Sequence, residues 1–124
     1  MNNNPVNPAE RLYRRGYSTP EKKYMNPDGT ATSRVFKLRD KDNGQLSVDV
    51  KSLTTPEQAI GDPSKYMLFE LSNADVISLG LESYYDPLPN NAAHAYIWGM
   101  AIDDDIMPGL LARASKKVYG ATLK

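Results

Sequence analysis

An alternation of apolar and polar side chains constrains the fold of this sequence more than any other feature. Three apolar and three polar residues follow one another in the order Leu46, Ser47, Val48, Asp49, Val50 and Lys51. A period of two places the apolar side chains on one face of a β-strand and the polar ones on the other. The pattern therefore predicts a strand in a sheet that has one buried face and one polar face.

The residues that precede this strand predict a β-hairpin over residues 33–51. Val35, Phe36 and Leu38 provide the apolar side chains of a first strand. Residues 40–44 supply the turn, because the Asn43-Gly44 pair tolerates positive φ.

Capping and stop signals predict several further short elements. Thr55 and Pro56 begin a short helix that ends at Gly61, and Ser72 begins another that ends at Gly80. Apolar runs or alternation predict strands at residues 12–16, 66–71, 81–85 and 94–100.

The last element is predicted to be a helix that starts close to Asp105 and ends at Gly120. Its apolar residues have helical spacing and are Ile106, Leu110, Leu111, Ala114 and Val118. We expect Leu110 and Leu111 to be buried. The predicted fold class is α+β: a small, mainly antiparallel sheet with short helices and a C-terminal helix packed on it.

The composition predicts one globular domain. The chain has 124 residues, with 15 basic and 15 acidic side chains, which is typical of a domain of ordinary size. We expect residues 10–124 to form this domain and residues 1–9, rich in asparagine and proline, to be a flexible tail. No signal peptide and no run of roughly 20 apolar residues is apparent, so we expect a cytoplasmic protein without membrane contact.

Cysteine is absent and histidine occurs once, which excludes disulfides, thiol nucleophiles and metal sites with several cysteine or histidine ligands. The consecutive carboxylates of Asp103, Asp104 and Asp105 suit Mg²⁺ or Ca²⁺ in principle. Consecutive side chains point in different directions, however, and negative charge is favourable at a helix N-terminus. We therefore expect these aspartates to cap the last helix, and we expect no metal or cofactor.

His94 is the candidate residue for proton transfer, since histidine is the side chain best suited to exchange protons near neutral pH. It begins a predicted strand just after the Asn90-Asn91 loop, with Asn91 near enough to orient the ring. Two interpretations stay open: His94 acts as a general acid or base, or its ring braces the loop through hydrogen bonds.

Tyrosines, arginines and the one tryptophan are the candidates for a binding surface. Near the start of the chain, aromatic and cationic side chains are interleaved in a way that is typical of stacking on nucleotides or nucleic acids. The candidate binding residues are Tyr13, Arg14, Arg15, Tyr17, Asn91, Tyr96 and Trp98. Ordinary core and rim packing of the tyrosines is the alternative interpretation.

Charge is balanced over the whole chain but segregated along it. Residues 1–41 contain nine basic and four acidic side chains, whereas residues 42–112 contain two basic and eleven acidic ones. The basic segment indicates either a face for nucleic acid or an acidic partner, or neutralisation of the acidic middle within the fold.

Four short segments form a recognisable pattern: Ser33 with Phe36, Leu46-Ser47-Val48-Asp49, Asp86-Pro87 and Asn91-Ala92-Ala93-His94-Ala95. This pattern resembles a group of small bacterial proteins of unknown function, which has proline at the position of Ala92. This resemblance implies a grouping without an activity. Leu12-Tyr13-Arg14-Arg15-Gly16 is similar to the opening arginine strand of ADP-ribosyltransferases, which implies a later catalytic glutamate, for which Glu70 and Glu82 are the candidates.

Two functions are expected. The many tyrosines, the segregated charge and the lack of a clear catalytic set favour a non-enzymatic binding or interaction module, with a protein partner from its own bacterial locus. The alternative is a small enzyme acting on a nucleotide or nucleic acid, with His94 as acid or base and Arg14 or Arg15 on phosphate. A cavity that joins His94, Ser47 or Asp49 and the Arg14 region would favour the enzyme. A broad tyrosine-lined surface without a cleft would favour the module.

Overall fold

A six-stranded antiparallel sheet dominates the computed structural model, which describes residues 3–120. The strands are β1 (Arg11–Tyr17), β2 (Leu46–Val50), β3 (Tyr66–Ser72), β4 (Glu82–Tyr85), β5 (His94–Trp98) and β6 (Lys116–Gly120), in the spatial order β4-β5-β2-β1-β3-β6. The helices are α1 (Pro56–Ile60), α2 (Asn73–Ser78) and α3 (Met107–Ala114), and short 3-10 turns lie at Pro20–Lys22, Ser33–Phe36, Asp40–Asp42 and Lys51–Leu53. The fold is α+β with an antiparallel sheet, as predicted.

The helices of the described part are short. None of those within residues 3–120 has the length and apolar character that a membrane crossing requires.

β1 lies at the centre of the sheet and pairs unequally with its two neighbours. It pairs with β3 along its whole length, but with β2 only at Leu12 and Tyr13. Beyond Tyr13, a side-chain hydrogen bond connects the two strands in place of backbone pairing: Nη1 of Arg14 donates to the carbonyl oxygen of Ser47 at 2.8 Å. We call this place, where strand pairing ends, the β1–β2 fork.

One face of the sheet carries the main hydrophobic core. Alternate residues of the strands, such as Leu12, Val48 and Phe69, are buried in one cluster with Phe36 and with Leu111 of α3. The burial of Leu46, Val48 and Val50 confirms the alternation that the sequence predicts for β2.

The opposite face of the sheet is covered only in part. Ala59 and Ile60 of α1 form a small cluster there with Tyr13 and Leu68. The remainder, which we call the open face, includes the outward side chains of β2 and β5, namely Ser47, Asp49, His94, Tyr96 and Trp98.

Local signals predict the two short helices correctly. The side chain of Thr55 accepts a hydrogen bond from the backbone N–H of Gln58 at 3.2 Å. Ser72 accepts one from the N–H of Asp75 at 3.0 Å. Each cap satisfies a backbone donor that has no partner within the helix.

The predicted hairpin over residues 33–51 is wrong. Residues 33–36 form a 3-10 turn in which Val35 and Phe36 are fully buried, and β2 pairs with β1 and β5 instead. A short apolar run suits a buried turn as well as a strand, so its pattern alone does not separate the two. Asn43 and Gly44 do adopt positive φ, as the turn prediction requires.

The C-terminal helix is shorter than predicted. α3 ends at Ala114, and Lys116–Gly120 form β6, which pairs with β3. Leu111 is fully buried, but Leu110 is only half-buried and Val118 is exposed. The helical stripe therefore fails after Ala114, because pairing with the edge of β3 overrides the helical spacing of the sequence.

Part of the segment predicted to be a flexible tail packs against β4. The N–H of Val6 donates to the carbonyl of Ser83, and the N–H of Tyr85 donates to the carbonyl of Asn4, both at 2.8 Å. The side chain of Val6 is 3% exposed and belongs to the main core. Val6 thus belongs to the core, which differs from the flexible tail that the sequence predicts over residues 1–9.

Replacing Leu111 with alanine is expected to lower the free energy of unfolding by about 2–5 kcal/mol, because a fully buried leucine leaves a cavity. Leu110→Ala is the matched control: the same change at a half-buried position should cost clearly less. Urea unfolding of both variants measures the difference. Equal losses would contradict the assignment of Leu111, rather than Leu110, to the core.

A buried carboxylate of β3 contacts one cation on β1 and another just after β2. Glu70 is 4% exposed; Nε of Arg11 donates to it, and Nζ of Lys51 lies 3.3 Å from its Oε1. Burial raises the pKa of Glu70, but the hydrogen bonds and charges of Arg11 and Lys51 outweigh it, so the pKa lies below its usual value.

Because the pKa of Glu70 is depressed, its carboxylate stabilises the fold above the ordinary glutamate pKa of about 4.3, and this contribution is lost as the pH falls through the lower folded value. Glu70→Gln should therefore be less stable than the native protein at pH 7, and the difference should shrink below about pH 4. Thermal unfolding between pH 7 and pH 3 tests this. A difference that stays constant over that range would contradict it.

Candidate functional site

A cavity of about 320 Å³ on the open face brings together most of the residues that the sequence singles out. Five of the eight predicted site residues line it, together with Ser47 and Asp49. We call it the histidine cavity; its lining residues are Tyr13, Arg14, Arg15, Ser47, Val48, Asp49, Gln58, Ala59, Leu68, Asn91 and His94. It lies over the β1–β2 fork, beside the polar side chains of β2 that lie on the open face.

His94 is held from both sides of its ring. Nδ1 lies 2.9 Å from the carbonyl oxygen of Asp86 and 3.2 Å from Oδ2 of the same residue. A carbonyl oxygen only accepts, so Nδ1 carries the proton and Nε2 of the neutral ring is an acceptor. Nε2 lies 3.2 Å from Oγ of Ser47, so the three residues form a chain from hydroxyl to imidazole to aspartate.

Strand register explains why distant residues meet here. Asp49 lies opposite His94 in the β2–β5 pair, which places Ser47 one step further along the same face. Asp86 follows β4, and its N–H donates to the carbonyl of His94 at 2.9 Å. The Asp86-Pro87 turn is visible in the sequence, but nothing there indicates that it contacts the imidazole.

Asn91 does not orient the ring of His94, so that expectation is wrong. Its Nδ2 donates to Oδ1 of Asp49 at 2.8 Å, and its Oδ1 accepts from the N–H of Ala93 at 3.1 Å. Asn91 therefore fixes the loop and the Asp49 carboxylate, while Asp86 has the orienting role.

Arg14 contributes a cation to the histidine cavity without a neutralising partner. Its Nε donates to the carbonyl of Val35 and its Nη1 to that of Ser47, both at 2.8 Å. No carboxylate of residues 3–120 forms an ion pair with it. Burial, and then the nearby charge of Arg39, lower the pKa of Arg14 to about 10, which leaves the guanidinium charged at neutral pH.

Arg15 is fixed differently. Its guanidinium lies 4.6 Å from the centre of the Tyr66 ring, a cation–π arrangement, and its Nη1 lies 3.4 Å from the carbonyl oxygen of Ile60. These contacts place a second cation beside Arg14.

Three predicted binding residues lie outside the histidine cavity. Tyr96 packs on Tyr84, with ring centres 5.7 Å apart, and Trp98 is 45% exposed. A Cβ on Gly44 would lie 2.8 Å from the Trp98 ring, so the glycine leaves room for the indole. Tyr17 lines a second cavity.

The second cavity, also about 320 Å³, shares Arg14 and Arg15 with the first. We call it the basic cavity; its other lining residues are Gly16, Tyr17, Tyr24, Arg34, Lys37, Arg39 and Tyr66. No motif in the sequence predicts a site at Arg34, Lys37 or Arg39. The basic excess of residues 1–41 is the sequence feature that includes them.

The aspartate cluster has a structural role. Oδ1 of Asp104 accepts from the N–H groups of Ile106 and Met107, each at 2.8 Å, and so holds the turn that leads into α3. The N-cap residue of α3 is Ile106, which makes no side-chain cap, so the prediction that the aspartates cap this helix is wrong in that detail. Asp105 lies 3.4 Å from Nζ of Lys37. Between residues 3 and 120, no three histidine, cysteine or acidic side chains are grouped so that they could hold a metal ion.

Neither candidate glutamate lines the histidine cavity. Glu70 is held by Arg11 and Lys51, and Glu82 is exposed on the edge strand β4. The catalytic glutamate implied by the similarity to ADP-ribosyltransferases is therefore not found in this cavity.

Comparison with known proteins gives no match: no family model, no curated protein and no solved structure is significantly similar to the chain. Both resemblances noted in the sequence therefore stay predictions.

The contacts of His94 predict its tautomer. Because Nδ1 faces the carbonyl oxygen of Asp86, we expect the neutral ring to be protonated at Nδ1. Long-range ¹H–¹⁵N correlation spectra of the imidazole at pH 8 should show this. Asp86→Asn keeps the carbonyl and should keep the tautomer, whereas a ring protonated mainly at Nε2 would contradict the arrangement.

Proposed function

We propose that the protein is a small enzyme that acts on a nucleotide, with His94 as its general acid or base. The observation that carries the proposal is the histidine cavity, in which His94 and Ser47 lie with Arg14 and Arg15. A joint cavity of this kind is the feature that separates the enzyme from a binding module. Such a substrate suits the cytoplasmic location expected from the sequence.

The proton-transfer part of the proposal rests on the chain from Ser47 to Asp86. Hydrogen bonding to Asp86 orients the imidazole and leaves Nε2 free to accept a proton. The proton comes from the Ser47 hydroxyl, whose oxygen lies 3.2 Å from Nε2. Asp86 stabilises the imidazolium that results.

The choice of a phosphate-bearing substrate rests on charge. Arg14 and Arg15 add two positive charges to the cavity wall, and Asp49 adds one negative charge that Asn91 already engages. Guanidinium groups bind phosphate through paired hydrogen bonds. An anionic ligand would offset the cost of burying Arg14 without a carboxylate partner.

The resemblance to ADP-ribosyltransferases supports a nucleotide substrate, because Tyr13, Arg14 and Arg15 of that segment line the cavity. A glutamate-dependent transfer is not part of the proposal, since Glu70 and Glu82 lie elsewhere.

A non-enzymatic module with a protein partner is the second candidate. It is favoured by the aromatic part of the open face, where Tyr84 and Tyr96 pack together and Trp98 is exposed. Aromatic side chains with polar tips are enriched at protein interfaces.

Turnover of nucleotides by the purified protein tests the enzyme. ATP, ADP, NAD⁺ and a short RNA are incubated with the native chain, and products are measured by mass spectrometry. We expect one of these classes to be consumed, and His94→Gln and Ser47→Ala to lower the rate by about a hundredfold, as the loss of a general acid or base does. Ser78→Ala, a serine on α2 away from the cavity, is the control and should keep full activity.

Melting temperatures separate chemistry from folding. We expect His94→Gln to melt close to the native protein, because glutamine keeps a hydrogen-bonding side chain. No consumption of any substrate would overturn the enzyme proposal and favour the module. Full activity in His94→Gln would reject the role of His94 as the general acid or base.

A further inference from the structure

The basic cavity concentrates positive charge to an unusual degree. Four arginines and one lysine line it, namely Arg14, Arg15, Arg34, Lys37 and Arg39, and no carboxylate does. Like charges held this close repel one another. This repulsion destabilises the folded protein, and a bound anion would offset it.

The carboxylates nearest to these cations leave much of the charge uncompensated. Asp42 lies 3.3 Å from Arg39, and the largely exposed Asp105 lies 3.4 Å from Lys37. Among the ion pairs of residues 3–120, none involves Arg14, Arg15 or Arg34. These three guanidinium groups therefore carry positive charge that no carboxylate of the described residues pairs with.

The central cation is fixed before any ligand arrives. Two nitrogens of Arg14 donate to backbone carbonyls, those of Val35 and Ser47, while Nη2 has no partner within residues 3–120. Groups held in place by the protein bind a ligand with a smaller loss of side-chain entropy.

Tyrosines form the rest of the cavity wall. The ring of Tyr17 packs edge-on against Tyr24, with ring centres 5.5 Å apart, and lies tilted against Tyr66, with ring centres 5.1 Å apart. A Cβ on Gly16 would lie 2.8 Å from the Tyr24 ring, so the absence of a side chain lets this ring approach β1. Cations beside aromatic rings provide both charge and a surface for stacking.

We propose that the basic cavity is a binding site for a diphosphate group, such as that of a nucleoside diphosphate. The cluster of guanidinium groups provides paired donors for more than one phosphate. The volume of about 320 Å³ lies at the small end of the range for small-molecule sites, which favours a compact ligand over a nucleic-acid strand. The inference deepens the proposed nucleotide function by naming the phosphate anchor, but it does not require catalysis by His94.

Calorimetric titration with inorganic pyrophosphate tests the site. Arg34→Gln removes an exposed cation of the cavity, and we expect it to weaken pyrophosphate binding by about tenfold, as the loss of a charge-assisted hydrogen bond does. Arg113→Gln is the matched control: it makes the same charge change on α3, outside the basic cavity, and should alter the affinity less than twofold.

Two outcomes would overturn the proposal. Pyrophosphate that does not bind at millimolar concentration, or binds equally weakly to both variants, would show attraction to net charge only. A single-stranded RNA without terminal phosphate that binds more tightly than ADP, and loses affinity in Arg34→Gln, would instead assign the cavity to a nucleic-acid backbone.

His94→Gln separates this inference from the proposed enzyme. His94 does not line the basic cavity, so pyrophosphate should bind His94→Gln as it binds the native protein. Pyrophosphate binding that depends on Arg34, without turnover of any nucleotide, would support the diphosphate site and reject the enzyme. Turnover of a nucleotide without pyrophosphate binding would support the enzyme and reject the diphosphate site.

Discussion

Arg14 replaces the backbone hydrogen bonds that β1 and β2 do not make with each other. The strands pair at Leu12 and Tyr13 and then stop, and the guanidinium continues the connection by donating to Ser47 on β2 and to Val35 in the neighbouring turn. Both cavities include this residue. The Arg14 side chain thus connects the sheet to the buried turn at residues 33–36. The β1–β2 fork that it spans is an opening toward the polar side of the strands.

The elements that could be predicted from the sequence are those whose cause is local. The alternation around Val48 follows from the two-residue period of a strand, and the helix starts at Thr55 and Ser72 follow from side-chain caps. The errors lie where distant contacts decide. The local sequence at Phe36 suits a strand, but tertiary packing places it in a buried turn. The local sequence at Val118 suits a helix, but pairing with β3 places it in β6.

The candidate site shows the same division. His94 and Arg14 were recognisable because few side chains have their chemistry, and the interleaved tyrosines and arginines of β1 drew attention to that strand. Asp86 and Arg34 were not recognisable, since an aspartate in a turn and an arginine in an apolar run have many ordinary roles. Their significance comes from tertiary contacts: the pairing of β4 with β5 brings Asp86 to His94, and the turn at residues 33–36 packs beside β1.

The strand order also determines how the chain must fold. Only β4 and β5 are neighbours joined by a short connection; every other pair joins segments that lie tens of residues apart. The chain entropy of closing such loops is lost before the contacts that they allow can stabilise the fold, and proteins dominated by such distant pairings fold on the millisecond-to-second scale. The central strand β1 pairs along its whole length only with β3, which lies tens of residues further along the chain. The strand that supplies the arginines therefore keeps an unpaired edge, open to other chains, until that distant segment is in place.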